Sequence, residues 1–222
     1  GTRTGEAPHL GEFRDLELFH VSRLSLTFRG KLGGAVHYIK VNYESGLTLR
    51  AGEIYDEMFA EEELRQHLPA AVGLGRLNEN DAQILNARGA GERFGLRVDM
   101  PYLVTSEIPG ESLLGLEERM QAVARRTDPE FDAQMVRYEG EALSGLRMTS
   151  EALAKFHKKG FVHRDLGPNE IILSPKGGVG INFLDSATRS GLAGLNAPSI
   201  PTLASGLRTA AALRLSEEIS TK

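Results

Sequence analysis

Gly160-Phe-Val-His163-Arg164-Asp165-Leu-Gly-Pro-Asn169-Glu170-Ile-Ile-Leu-Ser-Pro-Lys-Gly-Gly-Val-Gly-Ile-Asn-Phe-Leu-Asp185-Ser-Ala187 is the stretch on which the fold of this 222-residue chain turns. A polar elbow, His163-Arg164-Asp165, leads into apolar Ile171-Ile172-Leu173, then a Lys176-Gly177-Gly178 turn, then Val179 to Leu184. Apolar runs on either side of a glycine turn predict a β-hairpin that follows a loop. Asp185 leaves the second strand, so the hairpin can carry it back towards Asp165. Two carboxylates meeting at a strand end suit a divalent cation and a hydroxyl to be activated.

The stretch resembles the catalytic loop and magnesium loop of the protein-kinase fold, whose pattern is His-Arg-Asp-Leu, an Asn five positions after the Asp, and a strand pair ending in Asp-Phe-Gly. His163-Arg164-Asp165-Leu166 matches throughout. Gly167 stands where a Lys is usual, Glu170 where the metal-binding Asn is expected, with Asn169 one place early, and Ser186-Ala187 replaces Phe-Gly. The resemblance implies an α+β, bilobal, kinase-like fold: a leader over 1–15, a five-stranded N-lobe over 16–103, and a reduced helical C-lobe over 104–222. The catalytic loop would be 163–170 and the metal loop 185–187.

Bulk composition narrows the classes without choosing among them. The chain is 41% hydrophobic and 25% charged, with net charge −4 and no cysteine. Thiolate chemistry, disulfides and cysteine-zinc sites are excluded outright. No basic surplus argues for nucleic acid, and no long apolar run argues for a membrane span.

Working outward, residues 1–15 are polar, with Gly5, Pro8 and Gly11, and read as a loose leader with order beginning near Leu16. Alternation from Leu16 to Val41 predicts a three-stranded meander, with Gly30 to Gly34 turning between its second and third strands. The loop that covers the phosphates in a kinase would then fall near His20-Val21-Ser22-Arg23, which has no glycine.

Lys40 takes the place of the third-strand lysine, whose ammonium would hold the phosphates of ATP; a solvated strand lysine is the plain alternative. Residues 51–68 read as one helix on which Ile54, Glu57, Glu61, Leu64 and Leu68 share a face. Glu61, or failing that Glu57, would pair with Lys40, against the alternative that both are rim charges. Val72–Leu77 and Phe94–Val104 read as strands. Met100, Tyr102 and Leu103 resemble a hinge, with Met100 as gatekeeper and backbone amides around the adenine; plain core is the alternative. Leu113–Arg126 reads as helical, and Phe131–Lys159 contains the long helix, with Leu143, Leu146, Leu153 and Phe156 on one face.

Only 35 residues follow Ala187, of which Leu203–Ile219 read as an amphipathic helix; the Ala-Pro-Glu anchor of a standard protein kinase has no counterpart there. The expectation is a monomeric, minimal kinase that uses ATP and Mg2+ to phosphorylate a Ser or Thr hydroxyl, less often Tyr, of a protein. Asp165 would orient the hydroxyl, Lys40 would clamp the phosphates, and Asp185 with Glu170 or Asn169 would hold the metal. Size and truncation resemble the compact kinases that pathogenic bacteria inject into the host cytoplasm by type III secretion, including the HopBF group, whose members act on a host heat-shock chaperone. A small-molecule phosphotransferase of the aminoglycoside type, or a pseudokinase acting as a binding module, are the alternatives.

Overall fold

The computed structural model describes residues 4–22, 24–91, 95–124, 131–163, 166–182 and 188–189. They form an α+β structure and divide into two compact units, 4–108 and 109–182 with 188–189. The first unit extends past residue 103, where its boundary was expected, because its last strand runs on to Ser106 and the Glu107 N–H bonds the Val36 carbonyl.

The strands of the first unit are β1 (Gly5–Glu6), β2 (Arg14–Val21), β3 (Ser25–Leu32), β4 (Ala35–Asn42), β5 (Val72–Arg76) and β6 (Pro101–Ser106). They make one sheet in the order β1-β5-β6-β4-β3-β2. The meander is present, with its second turn at Gly33-Gly34 and Gly30 inside β3. The sheet has six strands, one more than expected, because β1 pairs in parallel with β5.

Both faces of this sheet are covered, and the period-2 alternation of its strands sorts the side chains between them. Leu26 and Phe28 of β3, Ile39 and Val41 of β4, and Tyr102 and Val104 of β6 join one core with Ala7, Leu10, Phe13, Leu77, Ala82 and Leu85. The intervening residues Ser25, Thr27, Lys40, Asn42, Leu103 and Thr105 are also buried and belong to the other face. There α1 (Ser45–Ala60) buries Ala51, Ile54, Tyr55, Met58 and Phe59.

Residues 4–13 are therefore no loose leader. Tyr102 donates its hydroxyl proton to the Pro8 carbonyl at 2.9 Å, and the Leu10 N–H donates to Asp81 Oδ1 at 3.0 Å. Asp81 is fully buried, near the start of α3 (Glu79–Leu85), whose N-cap Asn78 accepts from the Asp81 N–H at 2.8 Å. Burial first, and then the negative charge of Asp81, push the Tyr102 phenol up to about 12. Its ring lies so close to Gly75 that a Cβ there would come within 2.5 Å of Tyr102 Cζ.

The expected helix over 51–68 is two helices. α1 ends at Ala60, Glu61 is extended, and α2 (Glu62–Arg65) follows. Arg65 closes the break by donating from Nε to the Phe59 carbonyl and from Nη2 to the Ala60 carbonyl. A guanidinium can thus satisfy the carbonyls that a helix end leaves open.

The second unit holds β7 (Glu111–Ser112), α4 (Leu113–Ala124), α5 (Phe131–Lys158), β8 (Phe161–Val162), β9 (Ile171–Leu173), β10 (Val179–Ile181) and β11 (Thr188–Arg189). The hairpin read from sequence is β9-β10, in register Leu173↔Val179 and Ile171↔Ile181, and β7 adds to its β9 edge. Gly110 makes that addition feasible: it has φ +147°, and a Cβ would lie 2.1 Å from the Leu173 carbonyl oxygen. α5 buries Met135, Thr149, Ala152, Leu153 and Phe156. Leu143, expected on that face, is 52% exposed, because the helical period carries the buried stripe through Gly145 and Thr149 instead.

Two outcomes follow. Deleting residues 1–13 removes buried Leu10 and Phe13, uncovers the core they pack against, and strips a partner from buried Asp81, a loss on the order of 5 kcal/mol. The first unit should lose its cooperative melting transition, and an unchanged transition would show that the segment adds nothing. At the end of α5, burial lowers the His157 pKa, so the unfolded chain takes up a proton that the folded chain resists. Stability from this group is complete above the ordinary imidazole range and is lost as pH falls through it. Wild type should therefore lose Tm relative to His157→Gln between about pH 7.5 and about pH 5.5; parallel curves would contradict this.

Candidate functional site

Lys40 is only 7% exposed, and lysine is almost never so buried without a partner for its charge. It lies on the third strand of the meander, flanked in register by Thr27 of β3 and Leu103 of β6. Its face of the sheet is the polar one, and the Asn42 side-chain amide there donates to Thr48 Oγ1 of α1 at 2.9 Å. Of the two candidate partners, Glu57 is exposed on α1, and Glu61 is half-buried at the break between α1 and α2. The single helical stripe that was to align them with Leu64 and Leu68 does not exist.

The turn between β2 and β3, where the phosphate-covering loop was expected, is organised by serine. Ser22 Oγ accepts from the Leu24 and Ser25 N–H groups at 3.2 and 3.0 Å and lies 2.9 Å from Ser25 Oγ. Arg23 lies outside the described residues.

The hinge expectation fails for Met100, Tyr102 and Leu103. Tyr102 and Leu103 are inside β6, which is paired with β4 on one side and β5 on the other, so their backbone groups serve the sheet. Tyr102 turns to Pro8, and Met100 belongs to the core that covers residues 7–13. The strand begins at Pro101 and lies later than the sequence pattern indicated. A segment in mid-strand has no N–H left over for a ligand.

In the second unit the loop after β8 is tied down at several points. His163 is 1% exposed, and its Nε2 lies 2.7 Å from the Asn182 carbonyl oxygen. Since a carbonyl only accepts, the ring proton sits on Nε2. The Asn182 N–H donates to the Glu170 carbonyl at 2.9 Å, and the Leu114 N–H donates to the Pro168 carbonyl at 3.1 Å. β11 then pairs with β8, Thr188 opposite Val162. The chain on either side of the His-Arg-Asp motif is thereby bonded to the chain on either side of Leu184-Asp185. Asp165, Asp185, Arg164 and the metal loop 185–187 lie outside the described residues, as does 203–219.

Glu170 has both carboxylate oxygens engaged within its own loop: Oε2 accepts from the Gly167 N–H and Oε1 from Asn169 Nδ2, each at 2.6 Å. Among the described residues, no group of three or more His, Asp or Glu side chains is placed to hold a metal ion. No described helix is long and apolar enough to cross a membrane.

Sequence reading missed Asp81 and the segment it anchors. The available signal was Asn78 as an N-cap, with Glu79 and Asp81 in the first turn and Ala82 and Leu85 three positions apart.

Lys40→Met tests whether the buried ammonium acts or merely fills space. Methionine replaces the aliphatic stem, so an ammonium that acts can be lost with Tm within about 3 °C, while the phosphoryl transfer expected from the sequence falls at least about 100-fold. Loss of stability with an unchanged rate per folded molecule would assign Lys40 to the scaffold. No family model matches this chain, and no curated protein is significantly similar to it.

Proposed function

We propose that this chain is a minimal protein kinase of the bilobal kind, its first unit the strand-rich lobe and its second the helical one, transferring the γ-phosphoryl group of ATP to a Ser or Thr hydroxyl of a protein. The observation that carries this reading is the bond from His163 to the Asn182 carbonyl. It ties His163 to the chain just past β10, and the resemblance expects the catalytic loop to lie beside the metal loop that follows. Buried Lys40 on the third strand supports it independently.

Phosphoryl transfer asks little covalent chemistry of a protein and much positioning and charge neutralisation. In this mechanism Asp165 accepts the hydrogen bond of the acceptor hydroxyl and orients its oxygen, and Lys40 holds the phosphates by charge. Asp185, with an oxygen from Asn169 or Glu170, is the ligand set for Mg2+. Carboxylate and amide oxygens are the donors that a small hard cation prefers. Magnesium, when bound, offsets the negative charge of the phosphates. His163 is structural, because its Nε2 proton is committed to a carbonyl.

The resemblance to injected effector kinases makes a host protein the acceptor to test, a heat-shock chaperone first. A pseudokinase is the second reading, favoured by one observation: Glu170, at the place of the family's metal-binding residue, is occupied within its own loop.

Calorimetry with ATP and Mg2+, together with transfer of labelled γ-phosphate to purified chaperone, tests the proposal. Asp185→Ala should abolish metal-dependent ATP binding. Asp165→Ala should leave that binding within about 3-fold and reduce transfer at least about 1,000-fold. Binding without transfer by the wild type to any protein acceptor would favour the pseudokinase, and absence of binding would refute both readings.

A further inference from the structure

Gly167 and Glu170 both depart from the kinase pattern, and in the structure they touch. The Glu170 N–H donates to the Gly167 carbonyl at 3.1 Å, while the Gly167 N–H donates back to Glu170 Oε2 at 2.6 Å. The two residues exchange bonds as a capping box does, a glutamate three positions on reaching back to a backbone N–H. A carboxylate accepting N–H bonds makes the stronger kind of hydrogen bond. The glycine makes room for this exchange: a Cβ at 167 would lie 2.6 Å from Glu170 Oε2 and 2.6 Å from Asn169 Oδ1, so those side chains would have to move. The usual lysine cannot stand there while Glu170 holds this position.

The same carboxylate fixes Asn169. Glu170 Oε1 can only accept, so the group facing it at 2.6 Å is the Asn169 amide NH2. Asn169 Oδ1 is thereby turned away from Oε1 to the Gly167 side. The Glu170 carbonyl meanwhile accepts from the Asn182 N–H, which locks the loop to the chain beyond β10.

We infer that Glu170 is a positioning residue, the clasp of loop 166–170, and that it acts on the metal site through Asn169, whose Oδ1 is the loop's ligand oxygen. Gly167 and Glu170 are then one paired substitution: the glycine makes room for the carboxylate, and the carboxylate orients an asparagine that stands one place earlier than in the family. The clasp stands on geometry alone; the metal role rests on the kinase reading.

Two measurements on the full chain separate these parts. In a melting cycle, Gly167→Ala and Glu170→Ala should each lower Tm by roughly 3–6 °C, and the double variant should fall no further than the worse single one. Additive losses, or an unchanged Tm for Glu170→Ala, would overturn the clasp whatever the protein does with ATP. In calorimetry of ATP binding at increasing Mg2+, Glu170→Gln should raise the half-saturating Mg2+ concentration about 10-fold, because a carboxamide cannot accept at both oxygen positions and Asn169 must turn over. In an Asn169→Ala background the same change should have less than about a 2-fold effect. A full effect in both backgrounds would make Glu170 a direct ligand and overturn the inference. Absence of any Mg2+-dependent ATP binding by the wild type would overturn the metal role and the kinase reading together, leaving the clasp to the melting cycle.

Discussion

A strand buried on both faces gives a lysine no direct route to water, and the second half of β4, residues 39–42, is such a strand. Ile39 and Val41 fill the core that residues 7–13 and α3 cover, so Lys40 and Asn42 go to the opposite face under α1. Desolvating an ammonium is costly unless charge or hydrogen bonds answer it. The polar character of that face, with Ser25, Thr27, Asn42, Thr48 and Thr105 all buried there, follows from the same demand. An apolar replacement of this layer would bury as well; the polar one is retained where a charge has to be held in place.

The opposite face depends on a short segment that no periodicity announces. Residues 5–6 add a strand to the β5 edge, Tyr102 and Asp81 then fix Pro8 and Leu10 by two hydrogen bonds, and Gly75 leaves room for the Tyr102 ring. Each anchor is far away in sequence. The phenol of Tyr102 is therefore a structural donor, and burial first, then the charge of Asp81, keeps it from ionising.

Legibility followed locality. The β9-β10 hairpin, the meander and both long helices of the second unit were readable because alternation, helical period and glycine turns are written in adjacent residues. Errors arose where a partner lay elsewhere. Polar residues 4–13 look loose until Asp81 and Tyr102 are brought to them. Residues 51–68 look like one helix because Arg65, which closes the carbonyls at the break, is itself a good helix former. Leu143 matched the apolar pattern by type, while small residues Gly145 and Thr149 took the buried positions. At the candidate site, the order His163, Asn169, Glu170 could be read, but which side chain faces its own loop could not, since that is decided by hydrogen bonds two or three residues apart in a turn.

That distinction bears on how a departure from a family pattern should be weighed. Taken singly, Gly167 for Lys and Glu170 for Asn each subtract a function and argue for a dead enzyme. Taken together they are a single physical solution, since a Cβ at 167 and the Glu170 carboxylate cannot both occupy the space above the Gly167 backbone. Here the loop is bonded within itself, Gly167 to Glu170 in both directions and Asn169 to Glu170, and to its surroundings, Pro168 to Leu114 and Glu170 to Asn182. Order of this density in a short surface turn costs conformational entropy, and that cost is most readily understood where a side chain, Asn169, has to be presented in one orientation.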